Sequence, residues 1–232
     1  MPTPPLVNKE KFIEKTWLKG LSRETIKVVA DAAAVLQFDD GHCLFHRGDK
    51  PLAFYMVVEG AVRFTRVNDA GKEMILDIAA AGMTFGEISI MGNKRRGYTA
   101  QCTGETVLLA IASKDLRRLF RTREDLNWRI VEKLCDRINY YYDSFEDFLL
   151  RKTPARIAKR VLGLARRNHA DDELIVDAGL SQENLASMLG ISRQSLSKQL
   201  REWRDAGWID IQYGRIIIRN DDALLGVIEG PN

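Results

Sequence analysis

Between Ser181 and Trp203 the chain reads SQENLASMLGISRQSLSKQLREW, two short amphipathic segments that meet at a glycine. Leu185 and Leu189 stand four residues apart and share a helical face, Ala186 is small enough for a close helix crossing, and Gly190 permits a tight turn. Ile191 follows as an apolar plug, and Ser192 is a favourable N-cap for the second segment. That segment turns Leu196 and Leu200 to one side and keeps Arg193, Gln194, Ser197, Lys198 and Arg201 on the other. A helix-turn-helix needs this division, because its second helix packs on the first while offering donors to base edges in the major groove. Arg193 suits a bidentate guanine contact and Gln194 an adenine contact, while Lys198 and Arg201 suit bases or phosphates. With Ser181, Ser192 and Ser195 these residues form the candidate DNA-facing set. The competing reading is a helical hairpin with an ordinary solvated polar face.

Length and charge bound the rest. A chain of 232 residues accommodates one large domain or two smaller ones, and 45% hydrophobic residues suffice for a core. A net charge of +3 makes the whole chain no polybasic binder, so a nucleic-acid surface has to be local. Residues 151–219 carry 13 Lys and Arg against 8 Asp and Glu, which places the positive excess toward the C-terminus. Cys43, Cys102 and Cys135 are far apart and show no CxxC or Cys/His ligand spacing, which disfavours zinc or iron–sulfur sites and suits a reducing cytosol. Cys135 fits helical periodicity and reads as a small packed residue. No secretory leader and no membrane-spanning apolar run is read, so a cytoplasmic location is expected; MPTPP reads as a loose tail.

Residues 12–34 have helical character, with Ser22 as a cap ahead of an Ile26, Val29, Ala30, Ala33 face. From Val35 the period shortens, and CLFH, AFYMVV, AVRFTRV and EMILDIA alternate with glycines, Asn68–Gly71 joining two of them as a hairpin. After an irregular segment over 86–98 come TAQCT and TVLLAI. Many short strands with regular turns imply an antiparallel barrel or roll, a common seat for a ligand. Ser113 is expected to cap a short helix, and 124–150 reads as one long helix of ~40 Å. Its apolar positions Leu126, Ile130, Leu134, Ile138, Tyr141, Phe145 and Phe148 recur every three or four residues, a stripe suited to pairing with a second copy. Pro154 breaks that helix and opens a second domain, with an amphipathic helix over 155–168, a polar turn at His169–Glu173 and a short LIVD strand. Behind the two-helix unit, Trp208–Ile211 and Ile216–Ile218 flank Tyr213–Gly214–Arg215 as a hairpin, or wing, whose Arg215 suits a phosphate. The expected fold is α+β: a β-roll over 1–123, a dimerisation helix over 124–150 and a winged helix-turn-helix over 151–232.

This order of parts resembles the Crp–Fnr family of bacterial transcription regulators, over roughly Trp17 to Arg219. Four motifs carry the resemblance in sequence: Gly48–Asp49, AFYMVVEGAVRF, Phe85–Gly86–Glu87–Ile88–Ser89, and ISRQSLSKQL. The family implies a homodimer that binds an inverted repeat in double-stranded DNA and contacts RNA polymerase, often as an activator. It also implies an effector site. Gly86, Glu87, Ile88, Ser89, Arg96 and Gly97 resemble the family's cyclic-nucleotide phosphate cassette, with Arg96 set to neutralise a phosphate and Glu87 to accept from a ribose hydroxyl. Arg137 on the long helix matches a family position, while Tyr141 and Tyr142 stand where that family's helix meets the adenine with small hydroxyls. There are departures. The arginine stands one residue closer to the glycine than in the cyclic-AMP receptors, Gly97 and Tyr98 replace a small hydroxyl and an alanine, and Gln194 stands where the family often has glutamate. The effector therefore stays open among cyclic AMP, another small anionic or nucleotide ligand, and none; Glu87 and Arg96 also read as a structural salt bridge.

An enzyme has little support, since no Ser–His–acid set, Walker loop, HExxH or paired carboxylate motif stands out. The N-terminal cysteine cluster of the iron–sulfur branch is absent, and His42 and His46 lack convergent partners for a metal. The alternative function is a cyclic-nucleotide-binding regulatory module that binds no operator.

Overall fold

The computed structural model describes residues 5–69, 71, 73–167, 173–176, 181–212 and 215–230. The chain divides into two compact units, one up to Arg137 and one from Ile138. Residues 1–4 of the N-terminal tail, most of the turn expected at His169–Glu173, and the wing turn Tyr213–Gly214 lie outside the described residues.

The first unit begins with α1 (Lys9–Ile13) and α2 (Arg23–Ala32). Ser22 caps α2 by accepting from the Thr25 N–H. The helical stretch expected over 12–34 is therefore two helices. Thr16 explains the interruption: its hydroxyl donates to the Ile13 carbonyl at 2.7 Å and accepts from the Leu18 N–H, an alternative to helical bonding. Ala33, expected on the helix face, opens a strand instead.

The strands are β1 (Ala33–Phe38), β2 (Cys43–Phe45), β3 (Ala53–Val67), β4 (Glu73–Ala80) and β5 (Thr84–Phe85). Then come α3 (Glu87–Met91), β6 (Thr99–Ala112), α4 (Ser113–Thr122) and α5 (Glu124–Leu150). The sheet runs β1-β6-β3-β4, with β2 on β6 and β5 on β3, and all pairs are antiparallel. AFYMVV and AVRFTRV, expected as two strands, form the single β3. It bends at Gly60, where the pairing with β6 shifts register, φ is +77°, and a Cβ would stand 2.3 Å from the Glu105 carbonyl oxygen. TAQCT and TVLLAI likewise merge into β6. The expected hairpin is closed by the Gly71 N–H donating to the Asn68 carbonyl at 2.9 Å.

Two apolar clusters fill this unit. One joins α1, α2, α4 and the start of α5 to the sheet through Ile13, Val29, Phe54, Leu116, Leu126 and Ile130. The other lies within the roll and includes Phe45, Tyr55, Phe64 and Phe85. Ser113 is not a cap: Ala112 holds the cap position, Ser113 is the first helical residue, and its N–H donates to the Leu52 carbonyl. Nor is Cys135 packed; it is exposed on α5.

Along α5 the apolar stripe changes character. Leu126 and Ile130 are buried, while Ile138, Tyr141, Phe145 and Phe148, past the unit boundary, are 50–63% exposed.

The second unit holds α6 (Thr153–Leu164), β7 (Arg166–Arg167), β8 (Leu174–Val176), α7 (Gln182–Leu189) and α8 (Arg193–Asp205). It closes with β9 (Ile209–Gln212), β10 (Arg215–Ile218) and α9 (Asp221–Glu229). Pro154 sits in the first turn of α6, where its missing N–H costs nothing, so that helix starts two residues earlier than expected and ends four earlier. The sheet order is β7-β8-β10-β9. Ile157, Val161, Leu185, Leu196, Leu200 and Trp203 form its core with Leu224 of α9, a helix the sequence reading had not identified. At the end of α5, Asp147 accepts from Arg151 at 2.7 Å and Lys159 at 2.5 Å, and Arg151 also bonds the Ile228 carbonyl. No helix among the described residues is long and apolar enough to cross a membrane.

Candidate DNA face and effector cassette

The two-helix unit folds as local chemistry dictates. Ser181 caps α7 by accepting from the Asn184 N–H at 3.1 Å, and Gly190 ends it in the left-handed region at φ +65°. Ser192 caps α8 by accepting from the Ser195 N–H at 3.1 Å, and their hydroxyls meet at 2.8 Å. Ser181, Ser192 and Ser195 thus have structural partners in the helix caps. Leu196 and Leu200 are fully buried, while Arg193, Gln194, Lys198 and Arg201 are exposed.

An open cleft of about 550 Å³ lies along this face, lined in part by Arg193, Gln194, Ser197 and Arg201. It also takes in Gln182, Arg204 and Ile211, which sequence reasoning missed. Gln182 had a signal, being the first residue of α7; its Oε1 accepts from the Ser197 hydroxyl at 2.7 Å, tying the two helices. Lys198 is not part of that lining. Arg193 has Glu183 at 3.9 Å, with both side chains more than half exposed, a contact weak enough for a phosphate or base to displace. Arg215 is exposed at the start of β10, paired in register with Gln212.

Within the protein, the cassette residues have partners of their own. Arg96 is 3% exposed; its Nη1 donates to the Gly86 carbonyl at 3.0 Å, its Nη2 to the Ala53 carbonyl, and its guanidinium lies 4.1 Å from the Phe45 ring centre. Burial pulls its pKa below the usual arginine value, opposed by Tyr55, Tyr98 and nearby carboxylates. Gly86 has φ +99°, and a Cβ there would stand 2.7 Å from Arg96 Nη1. The backbone approach this glycine allows is thus used by Arg96.

Glu87 is completely buried and is not paired with Arg96 in the way the salt-bridge reading anticipated. Its Oε1 accepts from Lys133 Nζ at 2.8 Å, with Arg137 at 3.8 Å and Asp77 3.9 Å from Arg137. Lys133 also donates to Thr84 and lies 4.8 Å from the Trp17 ring centre, while Trp17 Nε1 donates to Thr84 Oγ1 at 2.8 Å. Burial lowers the Lys133 pKa, and Glu87 acts against that. Sequence reasoning missed Lys133. A signal existed, since Arg129, Lys133 and Arg137 recur every four residues off the apolar stripe. Glu87 Oε2 and Arg96 Nε are buried without a hydrogen-bond partner among the described residues.

The other cassette residues separate. Ile88 is 51% exposed, Ser89 is buried, and the Gly97 carbonyl accepts from Arg66 Nε at 2.8 Å. Tyr98 packs its ring 4.6 Å from Phe64 and 5.9 Å from Phe45, and Phe85 lies 5.1 Å from both Tyr55 and Phe64. Aromatic rings thus pack together in the roll beside Arg96. Tyr141 and Tyr142 belong to the second unit and are 50% and 70% exposed. His42, exposed, stacks on Phe38 at 4.4 Å, and exposed His46 lies 3.6 Å from Cys43 Sγ.

Comparison with known proteins places both regions. Residues 35–123 match the cyclic nucleotide-binding domain family, and residues 155–227 match the Crp-like helix-turn-helix domain family. The CRP-like cAMP-activated global transcriptional regulator of Mycobacterium tuberculosis is 26% identical over 208 residues, covering 89% of this chain and 93% of that protein. The global nitrogen regulator of Synechocystis is 26% identical over 191 residues, covering 81% and 85%. Among solved structures, FixK2 from Bradyrhizobium japonicum aligns with a TM-score of 0.74 at 18% identity, covering 86% of this chain and 99% of that one. The c-di-GMP-responsive regulator CLP of Xanthomonas campestris aligns with a TM-score of 0.68 at 18% identity, covering 85% and 99%.

Proposed function

Since the chain belongs to the Crp–Fnr family of transcription regulators, we propose that it works as a homodimer that binds an inverted repeat in double-stranded DNA through α8. The observation that carries this reading is the open cleft lined by Arg193, Gln194 and Arg201 on a helix whose opposite side is buried. Such a face supplies base-edge donors and phosphate-neutralising charge together. The exposed Ile138, Tyr141, Phe145 and Phe148 along α5 support pairing with a second copy. RNA polymerase is the further partner the family implies, in the cytoplasm, and the protein acts as a binding protein, not an enzyme. Selection from a random duplex library tests this directly. An enriched inverted repeat with a guanine in each half-site is expected, lost on Arg193→Ala; no enriched sequence contradicts the reading.

We infer that the roll, packed in this way, takes no cyclic nucleotide. To take one, Arg96 has to leave the Gly86 and Ala53 carbonyls, and Tyr98 has to leave Phe64 and Phe45. The M. tuberculosis relative is named as cAMP-activated; the replacements Gly97 and Tyr98 set this chain apart from the pattern of cyclic-AMP receptors. Saturating cyclic AMP or cyclic GMP is expected to leave the melting temperature unchanged. A bound ligand at a hundred times its Kd stabilises by ~2.7 kcal/mol, so a rise of a few degrees, abolished by Arg96→Ala, contradicts the exclusion.

A further inference from the structure

We propose that the cleft formed by the segment before β3, the segment after α3, and the end of β6 with the start of α4 binds a small polyphosphorylated anion. Lys50, Lys94, Arg95, Lys114 and Arg117 line this single open cleft of about 690 Å³, a volume in the range of small-ligand sites. No carboxylate among the described residues lines it. Unlike the five cleft cations, Arg123, Arg129 and Arg151 have carboxylate partners, in Glu24, Glu132 and Asp147. None of these five has one within 4.0 Å among the described residues, and Asp115, in the first turn of α4, is turned to Arg118 at 3.1 Å. Five like charges in one concavity repel one another and raise the local concentration of anions.

Local features favour a phosphate chain over a single negative charge. The cations come from separate segments around the cleft, so they can contact several phosphates at once. A nucleoside di- or triphosphate brings about three to four negative charges, at roughly one to two per phosphate, where a cyclic nucleotide brings one. Arg95 Nη1 donates to the Gly48 carbonyl at 2.8 Å, which fixes that guanidinium, while Arg117 Nη2 makes a longer contact of 3.4 Å to Asn93 Oδ1. Asn93 itself has φ +50°, the only positive value at a non-glycine among the described residues. A held guanidinium keeps N–H groups free for bidentate phosphate contacts. Ala112 in the cap position gives α4 no side-chain cap, the Ser113 N–H being taken by the Leu52 carbonyl, and Ser113 and Lys114 of that first turn line the cleft. Leu52, 74% exposed in the same lining, gives a nucleobase an apolar edge.

The test is isothermal titration calorimetry of the full chain with ATP, GTP and inorganic tripolyphosphate, each without magnesium, near 0.15 M salt. Saturable binding is expected, weakened about tenfold or more by Lys94→Ala with Arg117→Ala. The α8 face is a second basic surface, so Arg193→Ala with Arg201→Ala is the control and is expected to leave the heats unchanged. Tighter binding of the nucleotides than of tripolyphosphate assigns the base to the Leu52 edge; equal binding assigns the site to the phosphate chain alone. Lys50→Ala with Lys114→Ala repeats the test on different residues if the first variant melts early. The proposal fails if none of the three anions gives heat, or if binding is lost in the α8 variant and kept in both cleft variants. The calorimetry needs no operator, so its outcome is separate from that of the DNA-binding reading.

Discussion

Lys133 holds the ion pair of a carboxylate buried in the first unit. Its ammonium is the nearest charge to a Glu87 carboxylate that is 1% exposed, and Arg137 stands a full ångström further away. Removing one member of a buried pair leaves the other uncompensated. Lys133→Met is therefore expected to lower stability by about 3 kcal/mol in urea denaturation, and Lys133→Met with Glu87→Gln to lower it less. Equal losses in the two proteins sink the claim that the pair is coupled. The residue types of the cassette could be read from the chain, because Gly86, Glu87 and Arg96 sit in a recognisable string. Their partners could not. Arg96 bonds two backbone carbonyls, which have no sequence signature, and Glu87 finds a lysine 46 residues away that on a helix reads as solvated.

At the scale of elements, local chemistry was readable and long-range chemistry was not. Ser22 and Ser192 each cap a helix by accepting from an N–H three residues on, so sequence spacing alone locates them. The division of the 12–34 stretch depends on a Thr16 hydroxyl that turns back on the backbone, and the fusion of two strands into β3 depends on close approach of Gly60 to Glu105 from another strand. Asp125 shows how such distant contacts join elements. It stands in the first turn of α5 and accepts from the Ser22 N–H at 3.1 Å, the Thr25 hydroxyl at 3.0 Å and the Leu126 N–H at 3.0 Å. Partial burial pushes its carboxyl up, but these hydrogen bonds together hold it below the ordinary carboxylate value. A group with a depressed folded pKa stabilises fully above its unfolded pKa and loses that contribution as pH falls through the folded value. Asp125→Asn is expected to cost up to about 1 kcal/mol at pH 7, with the gap to the parent closing below roughly pH 4. A gap that stays constant from pH 7 to pH 3 contradicts the ionised carboxylate's role.

For the whole molecule, the order of roll, long helix and winged domain followed from periodicity and turn chemistry, because each part carries its own local pattern. The content of the roll did not follow, since ring-against-ring packing of Phe45, Phe64, Phe85 and Tyr98 is a tertiary property of four separated segments. Assembly is the property on which the proposed activity depends. Phe145 and Phe148 are 63% and 57% exposed on α5, and Phe145→Asp with Phe148→Asp is expected to shift the protein from dimer to monomer in sedimentation velocity with little loss of helical circular dichroism. A parent protein that already sediments as a monomer at micromolar concentration removes the dimer from the account. The most direct measurement is fluorescence anisotropy of the selected duplex against the same duplex with one half-site scrambled, at fixed salt. Two α8 helices acting together are expected to make the intact site at least about a hundredfold tighter, as separate base contacts each contribute about 1–3 kcal/mol. Equal affinity for both duplexes contradicts a dimer reading an inverted repeat.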